Sequence, residues 1–280
     1  MTLAVISDQP HVKIRPPKGW AALSLSDLWT YRDLLLTLAE RDVKVRYKQT
    51  ALGVIWVVLQ PLLGAAIFTF VFGRVARMSS DGVPYLIFSF AGLLAWNVFN
   101  STLTRASASV VENSRMVSKI YFPRLILPLS TIGSVLIDFA VSACVMVLLM
   151  AIYHVHPGWP LLLMPIFLAL LFMAATGVGL YTSALMVSYR DLQYALPPFL
   201  QFLLYASPVA YAASSVPASL RSIYYLNPLA ALLEGFRWSI LGTGHPQPAA
   251  LAYSIVVVLA MFVIGLVSFK RMERRFADVI

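Results

Sequence analysis

A chain of 280 residues with 60% hydrophobic and only 12% charged side chains, and a mean hydropathy of +0.79, lies far from a water-soluble domain, in which about a quarter of residues carry charge. It reads as an integral membrane protein, measured in spans of roughly 20 apolar residues per 30 Å of hydrocarbon. The formal charge of +9 does not indicate nucleic acid, because most Lys and Arg flank apolar runs as inner-leaflet anchoring requires; the single cysteine, Cys144, excludes an intramolecular disulfide and a cysteine-based zinc cluster.

Residues 1–26 hold Pro10, Pro16, Pro17 and Gly19 without a sustained period and read as a flexible cytoplasmic tail, in which Asp8 and the prolines interrupt any signal-peptide core. Over residues 27–50, Tyr31, Leu34, Leu35 and Leu38 share one helical face, with Asp33, Thr37, Glu40, Arg41 and Lys44 on the other. That pattern predicts a helix lying on the membrane surface. Arg41, Lys44, Arg46 and Lys48 then form a basic collar against residues 51–73, which carry no charge. A first span is expected at about 52–72, where Gln60 and Pro61 require partners from protein or water. A second, at about 85–103, lines up Tyr85, Phe88, Trp96 and Phe99 along one side, a stripe suited either to packing or to lining a path.

Residues 104–124 are too polar to cross; Arg105, Glu112, Arg115 and Lys119 alternate there with Val110, Val111, Met116 and Ile120. Such an amphipathic element suits a groove on a soluble partner, or simple surface linkage. The third span, about 125–153, carries Asp138 near its middle, without a basic residue on any predicted span to pair with it. Asp138 is therefore either a functional carboxylate, as in an ion-coupled carrier, or a helix–helix hydrogen-bonding group. His154 and His156 flank a turn without a nearby acid, and no metal site is expected. The fourth span, about 161–187, spaces Ala175, Gly179 and Ser183 for close helix approach. Arg190 and Asp191 make a polar step into a fifth, about 196–213, notched by Pro197, Pro198 and Pro208. Residues 214–248, with Asn227, Pro228, Glu234 and Arg237, suit a re-entrant hairpin. The last span, about 249–269, runs into a basic stop at 270–275. Six spans put both termini on one side; 17 of the 21 Lys and Arg fall on that side, which the positive-inside rule makes cytoplasmic.

No phosphate-binding loop, His-Glu-x-x-His or serine elbow is present, so nothing marks the chain as an enzyme, and energy for any transport comes from elsewhere. The order of short motifs is more specific than any one of them. Arg41-Asp42-Val43-Lys44-Val45-Arg46-Tyr47-Lys48 precedes Leu52-Gly53-Val54-Ile55-Trp56 and Gln60-Pro61-Leu62. Lys119-Ile120-Tyr121-Phe122-Pro123-Arg124, Tyr189-Arg190-Asp191-Leu192, Ser207-Pro208 and Asn227-Pro228 follow, with Glu234 and Arg237 last. In this order from Asp33 onward the chain resembles the membrane-spanning subunits of bacterial ATP-binding-cassette polysaccharide exporters of O-antigen, capsule or teichoic-acid type.

The resemblance implies an all-α membrane protein of six transmembrane helices, with an interfacial helix at 27–50, a cytoplasmic coupling helix at 105–120 and short re-entrant helices at 214–248. It implies a homodimer in the bacterial inner membrane joined to two ATPase subunits that bind ATP and Mg, with no cofactor in this chain. The cargo would be a glycan on an isoprenoid pyrophosphate, O-antigen by preference. Arg41, Lys44, Arg46 and Lys48 would meet the headgroup; Trp56, Gln60, Tyr85, Phe88, Trp96 and Phe99 would line the channel. Arg105, Glu112, Arg115, Lys119, Arg190 and Asp191 would couple to the ATPase, and Asn227, Glu234 and Arg237 would form the re-entrant gate. An ion-coupled secondary transporter and a non-transporting membrane anchor are the rival readings.

Overall fold

The computed structural model describes residues 25–48 and 53–276. The predicted tail falls almost wholly outside them, as does the link 49–52. Among the described residues all regular structure is helical. A short α1 (Leu25–Thr30) leads into α2 (Arg32–Lys48), which lies along α6 (Ile126–Ile152). Between them come α3 (Gly53–Phe68), extended by a π-helical turn at Thr69–Val75, then α4 (Tyr85–Glu112) and a short α5 (Ser114–Lys119). A 3-10 turn at Trp159–Leu163 opens α7 (Met164–Ser188), followed by α8 (Leu192–Tyr205), the four-residue α9 (Arg221–Tyr224), α10 (Pro228–Leu241) and α11 (Pro248–Met272).

Five of these runs are long and apolar enough to cross a bilayer: Ile55–Val75, Tyr85–Glu112, Ile126–Ile152, Trp159–Ser188 and Pro248–Met272. The predicted fifth span is shortened. Helix α8 stops at Tyr205 after 14 residues, about 21 Å at 1.5 Å per residue and too short for 30 Å of hydrocarbon. Pro208 explains the stop, since the residue before a proline is pushed out of helical geometry. The chain continues as turns to Ala212 and reaches the Tyr85 end of α4, where Gly92 leaves room for the Val209 carbonyl.

The second predicted span is lengthened instead. Helix α4 runs nine residues beyond its expected end, to Glu112, so Arg105 belongs to this long helix and not to a separate amphipathic element. What remains of the predicted 105–120 helix is α5, separated from α4 by a break at Asn113. Residues 213–241 carry a 3-10 turn at Ala213–Ser215 and then α9 and α10 before α11.

Helix α4 is the hub, packed against α3, α6, α7 and α10, with 78% of its most apolar window buried. Small side chains permit this crowding: Gly179 of α7 faces Ala106 of α4. On the far side of α7, α11 approaches so closely that a Cβ on Gly265 would strike the Gly177 backbone. By contrast, 11% of the α3 window is buried. The Gly177 and Gly265 contact leads to a prediction. Gly265→Leu should destabilise the detergent-solubilised protein by at least about 1–3 kcal/mol, the range for overpacking, lowering its melting temperature; an unchanged melt would show that α7 and α11 do not meet there.

Candidate functional site

Sequence-predicted site residues fall into several places: the collar with Arg105 of α4 and the middle of α6, the surface at the α5 end, the connection from α8 to α10, the buried face of α4 and the exposed face of α3. At the first, Asp138 gathers three donors. Tyr47 Oη donates to Asp138 Oδ1 at 2.5 Å, Arg105 Nη2 to Oδ2 at 2.6 Å, and Arg46 Nη2 lies 3.1 Å from the same Oδ2. Arg105 Nη1 also donates to Ser134 Oγ at 2.6 Å. Ser134 and Asp138 stand one helical turn apart on α6, so the planar guanidinium fork spans both. The Asp138 side chain is 13% exposed and that of Arg105 21%. Burial first, then the hydrogen bond to Asp138 and its charge, push the Tyr47 phenol up to about 12, so it remains a neutral donor at physiological pH.

This overturns two expectations. Arg105 is not a coupling residue on the surface; it is a counter-ion inside the helix bundle. Asp138 is not a lone acid: two guanidiniums and a phenol meet its carboxylate. Ser134 and Tyr47 were missed by sequence reasoning. The four-residue spacing of Ser134 and Asp138 was visible, but nothing in the sequence places α2 beside them.

Three of the collar cations, Arg41, Lys44 and Arg46, are engaged by the protein itself. Arg41 pairs with Asp42 at 2.8 Å and donates to Asn113 Oδ1 at 3.1 Å, linking α2 to the junction of α4 and α5. Lys44 pairs with Glu40 one turn away at 2.5 Å, an exposed pair of modest worth. Helix α2 ends at Lys48, whose side chain lies outside the described part.

At the α5 end, Glu112, Arg115, Lys119, Arg190 and Asp191 are all exposed. Glu112 and Arg190 line one groove of about 360 Å³, with Val111, Ser114, Met186 and Gln193. Ile120, Tyr121 and Tyr189 add exposed apolar surface nearby in sequence. The start of α6 is clamped to the end of α11. The Arg124 N–H donates to Glu273 Oε1 at 3.1 Å, its guanidinium bonds the Glu273 carbonyl, and it lies 5.8 Å over the Phe276 ring.

The aromatic stripe on α4 is core. Phe88, Trp96 and Phe99 are at most 4% exposed, because α4 is surrounded by other helices. They do not line a path in this arrangement. Tyr85 is half-buried and donates to the Ala210 carbonyl at 2.6 Å. Trp56 and Gln60 of α3 are exposed.

The expected gate residues hold the turns after α8. Buried Arg237 donates to the Pro208 carbonyl at 2.9 Å, with its guanidinium 3.9 Å from the Phe88 ring centroid. Asn227 caps α10 by accepting from Leu229 N at 3.0 Å, while its amide nitrogen donates to Ser207 Oγ at 2.9 Å. Glu234 accepts from Tyr225 Oη at 3.0 Å. Ser207-Pro208, Asn227-Pro228 and Arg237, far apart in the sequence, thus form one knot.

The sequence profile of the ABC-2 type transporter family matches residues 33–241, from the start of α2 through the last residue of α10. The chain belongs to the ABC-2 type transporter family. Among the relatives of this ABC-2 chain, the O-antigen export system permease protein RfbA of Klebsiella pneumoniae is 30% identical over 253 residues, covering 89% of this chain and 95% of that protein. RfbA of Myxococcus xanthus is 29% identical over 240 residues, 84% of this chain and 92% of that protein. The polysialic acid transport protein KpsM of Escherichia coli is 23% identical over 238 residues, 83% and 91% respectively. This ABC-2 chain is a membrane subunit with no ATPase motif of its own, and ATP hydrolysis belongs to a separate subunit.

The geometry at Asp138 makes its partners interdependent. Arg105→Ala and Asp138→Asn should each destabilise the protein, and the double variant should lose less than the two losses summed, by about 0.5–3 kcal/mol. Additive losses in thermal or denaturant melts would show that the pair contributes nothing jointly.

Proposed function

We propose that this chain is the channel-forming subunit of an ATP-driven exporter that carries a lipid-linked polysaccharide, O-antigen by preference, across the bacterial inner membrane as a homodimer. The observation that carries this reading is the near-full-length similarity to RfbA and KpsM, proteins named for O-antigen export and polysialic acid transport. The higher identity to the RfbA proteins favours O-antigen over capsule. In this reading the chain crosses six times, the fifth crossing being α8 completed by the turns to Ala212. Both termini are then cytoplasmic, as the Lys and Arg distribution supports.

The exposed groove of Glu112 and Arg190, with Arg115, Lys119 and Asp191 around it, receives the ATP- and Mg-binding subunit. Arg41, Lys44 and Lys48, with Arg46, meet the lipid pyrophosphate at the collar. With the α4 stripe buried, the glycan passes over faces left uncovered in the protomer. These are α3 with Trp56 and Gln60, and α8 with Tyr194, Gln201 and Tyr205, where aromatic surface offers stacking without a fixed register.

Removing the gene from its host should trap lipid-linked polymer in the cytoplasmic leaflet, with export restored by a plasmid copy expressed beside its ATPase. Normal surface polymer in the deletion strain would refute the reading. Within that assay, Glu112→Arg or Arg190→Glu should lower export about tenfold, the factor that roughly 1.4 kcal/mol of lost interface energy produces. The amount of protein in the membrane should be unchanged. Full export by both variants would remove the groove from the coupling path.

A further inference from the structure

The Asp138 cluster stands beside a cavity of about 90 Å³ lined by Arg46, Asp138, Gln60, Asn97, Asn100 and Ser101. Apart from Asp138, the polar side chains around it are amides, hydroxyls and a guanidinium, and no second acid is among the described lining residues. This is a set of groups able to donate to an oxyanion. Arg46 and Arg105 already meet on one oxyanion, the Oδ2 of Asp138. Carboxylates and phosphates are the two anions that the guanidinium fork fits best.

Helix α2 packs along α6 through Leu38 and its neighbours, and two of its contacts differ in kind. In the first, Ala39 lies against Gly133, where a Cβ on the glycine would come within 3.0 Å of the Ala39 methyl. In the second, Arg46 and Tyr47 bind Asp138. The first contact is apolar and indifferent to anions. The second is ionic.

We propose that Asp138 is a built-in substitute for the substrate phosphate. Its carboxylate holds Arg46 until a phosphoryl group arriving at α2 competes for that guanidinium, which leaves the single Tyr47 hydrogen bond to break before the C-terminal end of α2 parts from Asp138. Arg105, tied also to Ser134, keeps Asp138 in place during the exchange. Ala39 and Gly133 serve as the pivot. The freed end of α2 connects through residues 49–52 to α3, the long run with the least burial in the protomer, so the exchange is felt first by the span with the fewest contacts to resist it. This rests on the reading above that the cargo carries a lipid phosphate.

The test uses the complete transporter, this chain with its ATPase subunits, in lipid nanodiscs, and measures binding of farnesyl pyrophosphate and of inorganic pyrophosphate. Asp138→Asn removes the competing charge and should tighten farnesyl pyrophosphate binding by about tenfold. Tyr47→Phe, a milder change that removes one of the two ties from α2 to Asp138, should tighten it by about threefold. Adding Arg46→Gln to Asp138→Asn should abolish the gain. An equal gain for inorganic pyrophosphate supports exchange driven by phosphate alone; a gain for the farnesyl compound alone supports exchange that needs the lipid to deliver it.

Intact complexes of both Asp138→Asn and Tyr47→Phe that bind no more tightly than wild type would overturn the proposal, as would absence of binding in all of them. Polymer export in cells separates this from the function reading. Export by wild type without tighter binding in the two variants sinks the exchange alone, whereas export that survives deletion of the gene sinks the function itself.

Discussion

Three side chains from two helices converge on the carboxylate of Asp138, and the bundle's arrangement at that level follows from it. A charge taken out of water costs several kcal/mol unless opposite charges and hydrogen bonds replace the lost solvation. Arg105, Arg46 and Tyr47 do that for Asp138, and in doing so they fix α4 and α2 to the same turn of α6. Arg41, bonded to Asn113, adds a second tie from α2 to the end of α4. Helix α2 is therefore part of the bundle, attached by these polar contacts and by Leu38, which is buried in one apolar cluster with Ile126 and Leu127 of α6.

The other end of the bundle meets a related demand, set there by backbone carbonyls and not by a carboxylate. Where α8 gives way to turns, the carbonyls of Pro208 and Ala210 have no helical partners, and side chains from elsewhere supply them. Arg237 reaches the first and Tyr85 the second, while Asn227 joins the Ser207 hydroxyl to the start of α10. Irregular backbone at membrane depth is tolerated where protein satisfies it. Between the two polar levels the helices are held by close packing, most tightly where Gly177 and Gly265 let α7 and α11 touch.

Much of this was legible in the sequence because solvent preference is written residue by residue. The long apolar runs, the existence of a helix through the collar and the break near Pro208 announce themselves through composition, period and proline. Pairing across the fold does not. Arg105 looks like the first charge after a span, since hydropathy falls there, yet its partner lies 33 positions on and the helix simply continues around it. The stripe of Phe88, Trp96 and Phe99 was visible, but whether a stripe faces a path or a neighbour depends on how many helices surround it, and α4 has the most. Pro208 signalled a break without revealing that Arg237 would hold its carbonyl.

The turns between Tyr205 and Ala212 also set a rule for how this chain tolerates changes in length. One residue inserted into α4 would rotate everything after it by about 100° and carry Arg105 off Asp138, because a helix transmits its phase along its whole length. Residues 206–212 transmit no phase, since side chains rather than a helical ladder hold them at intervals. A residue gained or lost there shifts no helical phase; it moves the Pro208 and Ala210 carbonyls off Arg237 and Tyr85, and the Val209 carbonyl off Gly92. A change of length in α4 is felt along the whole helix, and one near Val209 is felt at these named contacts.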